Sequence, residues 1–218
     1  MNTQDFLVIT GVLLKGIGFT LALFAITIVT SIPLGLGLTF LANSRIKPVS
    51  LLTRAYVLVM RGTPLMLQLF FFYFGLPFLP YVGKYLIMDR FPAACLTFAL
   101  NYAAYFCEIF RGGLMSIDKG QYEAARVLGL SSFQTTFRIV LPQMVKVVLP
   151  AVANEAITLV KDTALASAIG ISDLMHYTRS LVNSRAEVTP FFFAAVFYLL
   201  FTVLLTRLFS RLEEKFKF

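Results

Sequence analysis

Apolar residues run in long blocks separated by short polar connections. Gly16 to Ala42 is 27 residues without a charge; further blocks cover roughly Ala55 to Leu79, Phe91 to Gly113, Leu149 to Ile171 and Pro190 to Phe209. Each is about the 20 residues that an α-helix needs to cross a hydrocarbon core of about 30 Å. The pattern predicts an all-α integral membrane protein with five transmembrane helices, one domain over residues 1–218. No basic segment precedes the first block, which exceeds the roughly 7 to 15 residues of a signal-peptide core, so it reads as an uncleaved first span, bent near Pro33, Gly35 and Gly37. A turn through Pro77, Pro80 and Gly83 joins the second and third spans, a polar stretch over 172–189 joins the fourth and fifth, and a charged tail runs from Arg211 to Phe218.

One connection is longer and patterned. Asp118 to Gln143 reads as two short helices around a hinge. Asp118 is placed to cap the first, with Gln121 three residues on, and Gly129 to end it in the left-handed conformation. Ser131 followed by Gln134 is a capping-box pattern for the second, and Pro142 limits how far that helix runs. Tyr122, Ala125 and Leu128 share one face; Phe133, Phe137 and Val140 share another. Two apolar faces on a connecting loop imply something to dock against.

Composition sharpens the class. Hydrophobic residues make up 58% of 218, only 14% are charged, and mean hydropathy is +0.81; soluble domains carry about 25% charged residues. The net charge of +8 does not point to nucleic acid, because the basic residues sit between apolar blocks rather than on one face or tail. They are also unevenly shared between alternate connections. Arg45, Lys47, Arg54, Arg61, Arg111, Lys119, Arg126, Arg138, Lys146, Arg207, Arg211, Lys215 and Lys217 fall on one side, against Lys15, Lys84, Arg90, Arg179 and Arg185 on the other. The positive-inside rule then predicts an external N-terminus, with the C-terminus and the 118–143 loop in the cytoplasm. Cys95 and Cys107, roughly 18 Å apart along one helix, cannot pair within it and read as small core residues. A single histidine, His176, without a Cys/His cluster offers no metal site.

Within the polar loop, Glu123-Ala124-Ala125, then Gly129, then Ile139 and Leu141-Pro142 are spaced as in the EAA loop, and the chain resembles the membrane subunits of ABC importers. In that family the loop forms a coupling helix seated in a groove of a cytoplasmic ATPase subunit. The resemblance therefore implies the type I ABC importer transmembrane-domain fold and ATPase coupling through Gln121, Glu123, Ala124, Ala125, Gly129, Ile139, Leu141 and Pro142. No G-x-x-x-x-G-K-[ST] loop is present, so the chain itself is expected to be a permease rather than an enzyme, with ATP and Mg bound by the partner subunit. Arg61-Gly62-Thr63-Pro64-Leu65 with Gln68, Asn101 through Glu108 and Arg111, and Asn154-Glu155 to Lys161-Asp162-Thr163 resemble the polar amino-acid branch of this family. That branch implies a multi-pass protein of the bacterial cytoplasmic membrane. It works as a pair of permease chains, two copies or two sisters, on a pair of ATPases, and receives an amino acid from an extracytoplasmic binding protein. An ABC permease for another small polar solute is the alternative.

The polar residues inside the blocks suggest where a solute would sit. Glu108, Glu155, Lys161 and Asp162 would together cost about 10 to 14 kcal/mol facing lipid at mid-depth, so they are expected to face inward. Asn101, Tyr105 and Glu108 form one stripe, and Glu155, Thr158 and Asp162 another, with Lys161 beside it. The two stripes predict a small hydrophilic pocket joined to the coupling loop. A carboxylate among Glu108, Glu155 and Asp162 would accept an ammonium, and Lys161 or Asn101 would donate to a carboxylate. Three acids against one base favour cationic or neutral amino acids. The competing reading pairs Glu108 with Arg111, and Lys161 with an acid, only to neutralise charge. Arg61 is expected to snorkel to headgroups, Gly62-Thr63-Pro64 to be a helix irregularity, and Phe70 to Phe74 to be packing. His176 and the 172–189 loop face a binding protein or solvent. An intramembrane hydrolase would need an activated nucleophile and base, which no Ser-His or paired-aspartate motif supplies; a passive channel would not need the EAA loop.

Overall fold

The computed structural model describes residues 3–216; Met1, Asn2, Lys217 and Phe218, the last two in the charged tail, lie outside it. Every regular element among the described residues is helical. Helix α1 (Thr3–Ala42) runs unbroken through Pro33. Helix α2 (Lys47–Gly62) starts with Pro48 in its first turn and ends at Thr63, which is extended. Helix α3 (Leu65–Phe70) follows at once, continued by a π-helical turn (Phe71–Gly75) and a 3-10 turn (Leu76–Phe78). The central helix α4 (Arg90–Ser116) is the most deeply buried of the long helices. The polar loop holds α5 (Lys119–Val127) and α6 (Ser132–Thr135), and a π-helical turn (Thr136–Val140) leads into α7 (Leu141–Asp162). A 3-10 stretch (Thr163–Ile169), the short α8 (Leu174–Arg185) and the peripheral α9 (Thr189–Phe216) complete the chain.

Among the described residues four helical segments are long and apolar enough to cross a membrane, and α2 with α3 through Phe78 makes a fifth if that pair is one span. The second predicted block is thus not a straight helix. It turns by 106° at Thr63-Pro64, because proline donates no N–H and holds the preceding residue extended. Gln68 offsets the loss: its amide donates to the carbonyls of Met60 (2.8 Å) and Thr63 (3.1 Å) and to the Thr63 hydroxyl (2.8 Å). Irregular backbone survives at membrane depth only where it is buried in protein or lines a cavity.

Helix α1 buries one stripe along most of its length: Ile9, Leu13, Gly16, Thr20, Leu23, Thr27, Ser31, Gly35, Thr39 and Ala42. The hydroxyls of Thr20, Ser31 and Thr39 turn inward by bonding their own helix, as Thr39 does to Gly35 O (2.8 Å), with a second contact across to Cys107 O (3.1 Å). Gly35 permits that approach. A β-carbon there would meet Phe106 Cβ at 2.6 Å and Ala103 O at 2.9 Å. The core is built on α4, where Phe98, Tyr102, Phe106 and Phe110 pack with Leu69, Val140, Met144, Val148 and Leu159. Tyr56 on α2 donates to Leu100 O (2.6 Å) and holds α2 against α4. Outward faces of α9, such as Leu199, Leu200 and Leu204, are bare leucine, as a lipid-facing helix would be.

Candidate functional site

A cavity of about 490 Å³ lies where the α2–α3 break meets α4 and α7. Its lining is Arg61 to Leu65, Asn101, Tyr102, Tyr105, Glu155, Thr158 and Asp162. Five of the seven predicted pocket residues are therefore brought together. Glu155, Thr158 and Asp162 reach it because they share a face of α7 at spacings of three and four, and Asn101 and Tyr105 do so on α4. Glu108, one turn beyond Tyr105, lines a neighbouring cavity instead. Lys161 is exposed and lines neither.

Hydrogen bonding assigns each group a task. Asn101 spends both amide hydrogens on the helix break, donating to Met60 O (3.0 Å) and Gln68 Oε1 (3.0 Å), so its carbonyl is the part left for a ligand. Asp162 Oδ2 accepts from Tyr102 Oη at 2.7 Å. Among the described residues Glu155 forms no ion pair. The only cation in the lining is Arg61, whose guanidinium stands 5.4 Å from the Tyr105 ring centre and 3.6 Å from Glu108 Oε2. Arg61 does not simply snorkel away; it forms a wall of the cavity. It, rather than Lys161 or Asn101, supplies a donor for a carboxylate. Glu108 is occupied by Arg111, through a bidentate bond of 3.1 and 2.7 Å, as in the charge-neutralising reading. The arrangement can bind a small zwitterion at both ends: acids on α7 for an ammonium, Arg61 and the open backbone at 62–65 for a carboxylate.

Sequence reasoning gave Arg61 a headgroup role and assigned Tyr102 none. Tyr102 is almost fully buried, and its hydroxyl is the partner of Asp162. The signal was present, since a tyrosine packed beside an intramembrane aspartate has an O–H to place.

The polar loop folds as a two-helix unit. Asp118 Oδ1 accepts from Gly120 N, and Gly129 is left-handed at φ +74°. The Ser131–Gln134 capping box is formed, with Ser131 N donating to Gln134 Oε1 (2.9 Å) and Gln134 N to Ser131 Oγ (3.2 Å). Pro142 does not end the second helix. The π-helical turn before it carries the chain straight into α7, giving one continuous helical segment over Ser132–Ile169. The wider turn relieves the clash of the proline ring with the carbonyl four residues earlier. The apolar faces also divide differently from expectation. Tyr122, Ala125 and Val140 turn to the core, whereas Val127, Leu128, Phe133 and Phe137 form an exposed patch with the two phenyl rings 4.4 Å apart. Gln121, Glu123, Ala124, Gly129 and Pro142 are exposed, and Ile139 and Leu141 half-buried. Gln143 at the start of α7 donates to Gln121 Oε1 (3.1 Å), tying α5 to the helix that carries Glu155 and Asp162.

A helical protein with four or five apolar spans, a polar cavity at a helix break and a patterned exposed loop is a multi-pass membrane protein by architecture. The solved structure of an amino acid ABC transporter with histidines superposes with a TM-score of 0.88 at 30% identity, covering 99% of both chains. A methionine ABC transporter in inward-facing conformations shares the fold at TM-score 0.78 and 20% identity, covering 100% of both chains. The chain belongs to the family described as binding-protein-dependent transport system inner membrane component, which it matches over residues 31–218. Among its relatives, the octopine transport system permease protein of Rhizobium radiobacter is 37% identical over 92% of this chain and 84% of its own. The arginine transport system permease protein of Bacillus subtilis is 36% identical over 94% of this chain and 92% of its own.

Proposed function

We propose that this chain is the permease subunit of an ATP-driven importer that moves polar L-amino acids across the cytoplasmic membrane. The observation that carries the reading is that the helical segment bearing the α7 carboxylates begins in the EAA loop with exposed Phe133 and Phe137, and is bonded through Gln143 to Gln121 of α5, which leads to exposed Leu128. Relatives named for octopine and arginine transport support an amino-acid solute. So does a cavity of amino-acid size with two carboxylates and one guanidinium, which favours a cationic or neutral side chain. An ABC permease for another small polar solute is the second reading.

In this account the N-terminus is external and the loop and C-terminus cytoplasmic, as the distribution of Lys and Arg supports. A pair of permease chains sits on a pair of ATPases, which bind ATP and Mg, and an extracytoplasmic binding protein delivers the solute. Closure of the ATPases on nucleotide pushes the exposed patch around Glu123 and Gly129. The Gln121–Gln143 contact and the run from α6 to α7 carry that displacement to Glu155 and Asp162. The solute's ammonium exchanges water for the two acids, and Arg61 holds its carboxylate.

Glu123→Lys tests the coupling. The variant is expected to insert and to assemble normally, yet to lose solute-stimulated ATP hydrolysis and uptake. Full uptake by Glu123→Lys would remove the coupling assignment.

A further inference from the structure

Beside the first cavity lies a second of about 670 Å³, bounded by the end of α1, by α2 and by α4. Arg61 lines both, so its side chain stands where the two meet. The second cavity contains three guanidinium groups, Arg54, Arg61 and Arg111, and only one carboxylate, Glu108. Arg111 holds both oxygens of Glu108, and Arg61 approaches the same carboxylate at 3.6 Å. Among the described residues Arg54 forms no ion pair; its Nε is 3.4 Å from the Ala42 carbonyl, a weak contact at the end of α1. Within this lining one carboxylate faces three guanidiniums, a net charge of two positive. The remaining wall is mostly apolar, with Ala42, Val57, Leu58 and Met115 beside the one amide of Asn43. Such a surface favours an oxyanion attached to an organic body, bound by guanidinium N–H groups whose geometry matches a carboxylate or a phosphate.

We infer that the second cavity is an oxyanion site that receives the carboxylate of the solute after it leaves the first cavity, with Arg61 passing it from one to the other. The inference rests on the importer reading for the identity of the solute. The handover needs little motion. Arg61 is held by a long Glu108 contact and by the Tyr105 face rather than by a bidentate bond, so its guanidinium is less tethered than that of Arg111. Two cationic groups below the acids of α7 also give a zwitterion a reason to travel with its carboxylate leading.

Labelling of arginine by phenylglyoxal, mapped peptide by peptide in the complex with its ATPase, reads this site directly. Nanodiscs of phosphatidylcholine remove anionic lipid, and exposed Arg45, which lines neither cavity, is the internal reference. Replacing chloride with acetate at equal ionic strength is expected to slow labelling of Arg54 by about tenfold, the scale of a charge-assisted hydrogen bond, and to leave Arg45 unchanged. Glu108→Gln removes the competing carboxylate and is expected to strengthen the protection. A mixture of amino acids is expected to protect Arg54, and the same amino acids as carboxyl amides are not. Equal rates at Arg54 and Arg45 under all conditions would overturn the site. Protection that appears only when phosphatidylglycerol is added would assign the anion to lipid phosphate and overturn the exit role. Stimulation of ATP hydrolysis by amino acids tests the importer reading without involving Arg54, so the two failures are distinguishable.

Discussion

At the scale of single residues, the first cavity depends on two side chains that never leave the protein interior. Tyr102 spends its hydroxyl on Asp162, and Gln68 closes the α2–α3 break with Asn101. Tyr102→Phe leaves the ring packing intact and takes away one donor to a buried carboxylate, which costs about 1 to 3 kcal/mol. The expected result is normal assembly with solute affinity lowered about tenfold, measured by uptake against concentration. Glu155→Gln is expected to change the preference among amino acids, weakening cationic ones relative to neutral ones; an unchanged preference would return Glu155 to a structural part. Outside the spans, Asp173 caps α8 by accepting from His176 N (2.8 Å), while its other oxygen is buried without a hydrogen-bond partner. Burial pushes its carboxyl up to about 7, against bonds from the backbone of α8 and the charge of Arg179. A carboxyl that binds its proton more tightly when folded stabilises the fold fully below its unfolded value and loses that contribution as pH rises to about 7. The melting temperature should therefore fall between about pH 4 and pH 7, and Asp173→Asn, which keeps the cap, should flatten that dependence. The α7 acids were legible because charge inside an apolar block must face inward. Tyr102 was hidden because its burial is that of a core residue and only its oxygen is at the site.

At the scale of elements, helical periodicity placed the polar stripes, and the irregularity expected at Gly62-Thr63-Pro64 is a full break rather than a local kink. A window of apolar residues from Ala55 to Leu79 has the composition of one span, and hydropathy does not register that Pro64 turns the chain by 106°. The reverse held at Pro142, where a helix stop was expected and a π-helical turn carries the chain onward. Local capping was read correctly because it is local: Asp118, Gly129 and the Ser131–Gln134 box need no tertiary information. Gly129 has open space around its α-carbon, so Gly129→Ala is a conformational change only, of about 1 to 2 kcal/mol for the left-handed backbone. It should loosen the coupling turn and lower solute-stimulated ATP hydrolysis more than basal hydrolysis. Gly35 is the opposite case. Its approach to Phe106 leaves no room, and Gly35→Ala should cost about 1 to 3 kcal/mol by overpacking and reduce the yield of folded protein. The small-residue stripe of α1 that includes Gly35 was invisible to hydropathy, since the whole segment is apolar and only its packing distinguishes one face.

At the scale of the whole molecule, the arrangement places one cavity beside another, with Arg61 lining both and the 118–143 loop bonded to the helix that carries the acids. Composition alone indicated a membrane protein, and the EAA spacing alone indicated an ABC permease. The two cavities required coordinates, because Glu108 and Tyr105 lie on one helical stripe yet face different spaces. The measurement that bears most directly on the account is ATP hydrolysis by the complex in lipid, reconstituted with its own ATPase and loaded binding protein and challenged with the twenty amino acids and cystine. The account predicts stimulation by one or a few amino acids, cationic or neutral, and its loss in Glu123→Lys without loss of assembly. A flat response across the panel, or stimulation that survives in Glu123→Lys, would contradict it.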